Sequence, residues 1–139
     1  MALRLILNAL VIAALNLASF VIGFWIFSLG GADEQRLVQG GAAILVAVLL
    51  VVVWLVIFRR ATRLEVGHDF IRVFLLVFPC TPVIFVPVHF LVTGYLTGAG
   101  NLIAIATYQF PMNLVGVAVS AALIRKKEKT PRGALSSET

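Results

Sequence analysis

No Asp, Glu, Lys or Arg occurs between Leu37 and Phe58, and none between Val73 and Ile124. An apolar run of about 18 or more residues with few or no charges reads as a membrane-spanning helix. Only helices and closed barrels satisfy every backbone group in hydrocarbon, so this feature leaves the chain few choices. A soluble fold is excluded on composition as well. Soluble domains are typically about 45–50% apolar and about 25% charged, whereas this chain is 61% hydrophobic and 12% charged.

Four spans fit, at about 5–29, 40–58, 73–92 and 101–124. Each is about 19–25 residues, long enough for a hydrocarbon core of about 30 Å at 1.5 Å per residue. The breaks carry turn chemistry. SLGGADEQR, RRATRLEVGHDFIR and TGYLTGAGN separate the spans, and RKKEKTPRGALSSET ends the chain. The expected fold is an all-α integral membrane protein, a four-transmembrane-helix antiparallel bundle in residues 1–124. Residues 125–139 read as a basic, disordered cytoplasmic tail.

The first span resembles a signal peptide in having Arg4, an apolar stretch and Ala18. Its apolar run continues to Leu29, past the usual core of about 7–15 residues, and Asn16 falls where a small residue is wanted for cleavage after Ala18. It reads as a retained span. Orientation follows from the basic residues. Arg4, Arg59, Arg60, Arg63, Arg72, Arg125, Lys126, Lys127, Lys129 and Arg132 share one side and only Arg36 lies on the other, which predicts N-in, C-in. Trp25 and Tyr95 then fall near the outer interface and Trp54 near the inner one. Topology accounts for the net charge of +5, so no nucleic acid is expected as a partner. Arg59, Arg60, Arg63, Arg125, Lys126 and Lys127 are candidate contacts for anionic lipid heads or a soluble partner, at roughly 1 kcal/mol per charge.

Polar side chains within spans turn toward other helices, because lipid offers no partner. Asn8, Asn16, Ser19 and Gly23 fall close to one face of the first span, and Gln109, Asn113, Gly116 and Ser120 on one face of the fourth. The third offers Thr81, Phe85 and His89, each four apart. The second, GGAAILVAVLLVVVWLVIF, reads as bare aliphatic and is expected to face lipid over much of its circumference. The three stripes are expected to meet as interhelical glue, or else to line a solute site.

FPCTPVIFVPVHF, residues 78–90, sets three prolines in the third span. Prolines keep to strand edges, which argues against a strand. In a helix each one removes a donor and frees the carbonyl four residues earlier, at Leu75, Phe78 and Val83. A kink is expected at Pro82 and Pro87. If Gly94 faces Asn101 across the turn, Pro82 lies near Asn113, which would donate to the Val83 carbonyl, and Thr107 or Tyr108 would bond His89.

An intramembrane histidine carries a functional hypothesis by default. His89 admits three roles: a neutral hydrogen-bonded structural residue, a solute or proton contact, or a metal or haem ligand. His68 is on the opposite side, so no second ligand is at hand. Cys80 stands alone, with no basic neighbour in its span to lower its pKa, and reads as a small buried residue. All carboxylates lie in loops or the tail, so no catalytic set is expected, nor any cofactor or metal. Asp69 is expected to N-cap the third span.

The length and four-span layout resemble the small multidrug-resistance transporters. That family carries a membrane-embedded glutamate in its first span; this first span has no acid, and Asn16 is the nearest polar group, so proton-coupled cation exchange is not implied. Three functions remain in view. The first is a non-enzymatic accessory, assembly or regulatory subunit working through helix contacts with other membrane subunits or with copies of itself. The second is an oligomeric channel or facilitator lined by Asn16, His89, Gln109 and Asn113. The third is a membrane enzyme acting on lipids or quinones, for which catalytic residues are missing. Thr81 and Tyr108 complete the candidate intramembrane contacts. The expected location is a bacterial cytoplasmic (inner) membrane.

Overall fold

The computed structural model describes residues 2–28, 33–58 and 64–129. They form four helices: α1 (Ala2–Ser28), α2 (Asp33–Ile57), α3 (His68–Thr93) and α4 (Ala99–Lys129). All four are long and apolar enough to cross a membrane. The helices overrun the expected spans because hydrogen bonding within a helix does not stop where hydrocarbon does. α4 continues past Ile124 to Lys129, so residues 125–129 are helical. The remaining tail, and Arg59, Arg60 and Arg63, lie outside the described residues.

α1 packs against both α2 and α3, and α2 against α4. α3 and α4 are joined by a short connection, residues 94–98, but share the smallest of the main interfaces. Side-chain size explains the difference. A Cβ on Gly23 would meet Ala43 Cβ at 2.8 Å, and one on Gly116 would meet Val51 Cγ1 at 2.8 Å. Small residues let those backbones close up, the usual way to gain packing when lipid is as apolar as the helix. Between α3 and α4 stand Phe74, Phe78 and Phe110, with Phe74–Phe110 and Phe78–Phe110 centroids 5.7 and 6.0 Å apart. Three rings hold the two axes apart.

α2 buries Ala47, Val51 and Leu55, one face at four-residue spacing, and exposes Leu45, Leu49 and Val53. That matches the lipid-facing role expected of it. The apolar core runs from Leu5, Ala9 and Ile12 through Val51 and Leu55 to Phe70, Val73 and Val77.

The ends of α3 are set by glycines. Gly67 precedes it at φ 117°, and Gly94 closes it at φ 76°, donating its N–H to Phe90 O at 2.8 Å. A left-handed residue after the last turn costs glycine nothing. Asp69 is not the N-cap expected. It lies inside the first turn and accepts from the Glu65 backbone N–H at 3.0 Å, with Arg72 Nη1 3.8 Å away. α3 starts two residues too early for an Asp69 cap, with Gly67 at the cap position, and the Asp69 carboxylate instead ties down the incoming chain. α3 runs as one helix through Pro79, Pro82 and Pro87, as α4 does through Pro111.

Candidate functional site

Halfway along the bundle α1 and α4 bring amides together and α3 adds a hydroxyl. Asn16 of α1 and Asn113 of α4 are each 1% exposed, as is Gln109, one turn before Asn113. Asn16 Nδ2 donates to Asn113 Oδ1 at 2.7 Å. α1 and α4 are not a closely packed pair, so this bond crosses the bundle interior. Thr81 of α3, 3% exposed, lies 2.9 Å from Gln109 Oε1 and donates to Val77 O at 2.8 Å. Ser19 donates to the carbonyl of Asn16 at 2.8 Å, and the Tyr108 ring meets Phe20, the next residue on α1, edge-on at 5.3 Å. Asn16, Thr81, Gln109 and Asn113 therefore form one group, with Tyr108 beside it against Phe20.

Two contacts differ from expectation. Asn113 meets Asn16, not the carbonyl released by Pro87, because the α3–α4 hairpin is set about one turn away from the expected register: Thr81 meets Gln109. His89 does not reach Thr107 or Tyr108. Its Nδ1 lies 3.1 Å from Tyr95 O and 3.3 Å from Thr93 Oγ1. A carbonyl only accepts, so Nδ1 carries the proton. Thr93 in turn donates to His89 O at 2.8 Å. His89 thus closes the end of its own helix, on an exposed turn, away from the amide group.

Two turns nearer the N-terminus of α1, both polar atoms of the Asn8 side chain have a partner. It donates to Arg4 O at 2.7 Å and accepts from Trp54 Nε1 at 3.0 Å. Sequence reading placed Asn8 on the polar face but gave it no partner; an indole donor on an otherwise bare second span was the available signal. Ser120 donates to Gly116 O at 2.6 Å and is buried within α4. Cys80 is buried beside the core. Arg125 and Lys126 are exposed at the end of α4, and Lys127 follows in the same turn. Among the described residues no three His, Cys, Asp or Glu side chains converge.

The chain matches no known family model, no curated protein and no solved structure.

The group is a neutral amide and hydroxyl network. It can donate and accept hydrogen bonds, and it holds no carboxylate or imidazole to move a proton.

Proposed function

We propose that this is a non-enzymatic membrane protein that acts through helix–helix contacts, as an accessory, assembly or regulatory subunit of a membrane complex. The observation that carries the reading is the fate of the intramembrane polar groups. Asn16 pairs with Asn113, Thr81 with Gln109 and Asn8 with Trp54, each between the chain's own helices. His89 is consumed at its own helix end. What is left for other molecules is apolar surface, with Leu91 and Val92 about four-fifths exposed.

In this reading the protein sits N-in, C-in, on the strength of the basic residues gathered at one end, and in a bacterial inner membrane. Pro82 and Pro87 kink α3 and keep its last turns away from α4. Arg125, Lys126 and Lys127, with Arg59, Arg60 and Arg63, face anionic lipid heads or a soluble partner domain. The channel reading draws on one observation, that buried amide atoms at mid-bundle retain unused hydrogen-bonding capacity.

Native mass spectrometry of the protein extracted in mild detergent tests the proposal. A foreign subunit at fixed stoichiometry is expected. A homo-oligomer or a bare monomer, with solute flux that falls in Asn113→Leu, would replace it with the channel reading.

A further inference from the structure

Three polar atoms in the amide group are buried without a hydrogen-bond partner among the described residues: Asn16 Oδ1, Asn113 Nδ2 and Gln109 Nε2. They share one patch. Gln109 and Asn113 are four apart on α4 and so neighbours on its face, and Asn16 is bonded to Asn113. In hydrocarbon there is no solvent to relax such groups, so a bare donor or acceptor there is strongly unfavourable.

The hydrogens narrow what completes them. Thr81 contacts both Val77 O and Gln109 Oε1, but a hydroxyl has one proton. Both contacts are used only if the Gln109 amide is turned, so that Nε2 donates to Thr81 and Thr81 donates to Val77 O. Oxygen and nitrogen of an amide are assigned by such reasoning. The turn leaves Gln109 Oε1 unpartnered in place of Nε2. Turning Asn16 and Asn113 together likewise exchanges which residue keeps the spare donor and which the spare acceptor. In every arrangement at least one donor and at least one acceptor remain. An anion would be served by donors alone and a cation by acceptors alone. The occupant must be neutral, must do both, and must fit where residues are 1% exposed.

We propose that a single internal water molecule is bound among Asn16, Gln109 and Asn113 at mid-membrane, joining α1 to α4 as a structural ligand. Water accepts two hydrogen bonds and donates two, and buried waters typically make about three. The site is independent of which partner the protein serves.

Water–amide NMR tests it, on the 15N-labelled protein in deuterated detergent. The side-chain NH2 groups of Asn113 and Gln109 are expected to show cross peaks at the water frequency. The laboratory-frame and rotating-frame peaks should have opposite sign, the signature of a bound water and not of proton exchange. The peaks should persist when the hydroxyls that can relay exchange are removed by Ser19→Ala, Thr81→Val and Tyr108→Phe. The Gln109 peak should be lost in Asn16→Leu/Asn113→Leu, whose apolar side chains fill the place. Absence of the peaks in the wild-type protein would overturn the proposal, as would same-sign peaks. A peak at another frequency would replace water with a membrane-borne solute.

Discussion

The two halves of the bundle are packed by different rules. Toward the N-terminal end of α1, Ile12, Val51, Leu55, Phe70, Val73 and Val77 are at most 1% exposed. Toward the α3–α4 turn, Val83, Leu91, Val92, Tyr95, Leu96 and Ile103 are each at least 65% exposed, and Ile105 is the buried apolar residue between Pro82 and Tyr108. Composition does not separate the halves, since both are aliphatic and aromatic. The difference lies in what allows helices to approach. The packed half begins at the amide layer and contains Gly116, Ala9, Ala13 and Ala47; the open half contains Pro82, Pro87 and the α3–α4 turn, and closes only where Gly23 of α1 meets Ala43 of α2. In a membrane an exposed leucine costs little, so nothing forces the second half to close.

This contrast can be broken most severely at Phe70. Phe70→Ala is expected to lose about 3 kcal/mol, because its neighbours lose their contacts to a void; denaturant titration in detergent reads the loss. A result under 1 kcal/mol would mean that the packed half is soft. Gly116→Ala should cost about 1–3 kcal/mol, since the new methyl group meets Val51 at 2.8 Å. Gly100→Ala, with nothing within 4 Å, should cost far less, and equal losses in thermal scans would erase the distinction between the halves.

At the boundary, Asn113→Leu should destabilise by about 1–3 kcal/mol by stranding the Asn16 amide. The double variant Asn16→Leu/Asn113→Leu should recover much of that, because removing both partners removes the stranded group. A single variant as stable as the wild type would show that the amide pair does not hold the helices. Thr81→Val should cost about 0.6 kcal/mol, the average for an interhelical hydrogen bond in a membrane. Leu91→Ala should shift stability by less than about 0.5 kcal/mol, measured in the purified single chain. A large loss there would reveal a contact that the exposed half makes in the isolated protein.

Much of this architecture was legible in the residues. Charge-free runs located the spans, and polar spacing put Asn16, Ser19, Gln109, Asn113 and Ser120 on buried faces. Helical periodicity is a local property, and a face is readable from one segment. Register was not readable. A short uncharged turn left the α3–α4 slide free by a turn, so Thr81 found Gln109 and Asn113 found Asn16. His89 shared the stripe of Thr81, yet the Gly94 turn brought the Tyr95 carbonyl back to it.

The sequence by itself determined four helices long and apolar enough to cross a membrane, because a charge-free run of this length satisfies its backbone in hydrocarbon only as a helix or within a closed barrel. Only the tertiary structure decided which helices touch closely and which amide meets which. Those outcomes depend on how near two backbones come, and that distance is set jointly by side chains far apart in the chain: a glycine against a valine, or three phenylalanines between two helices.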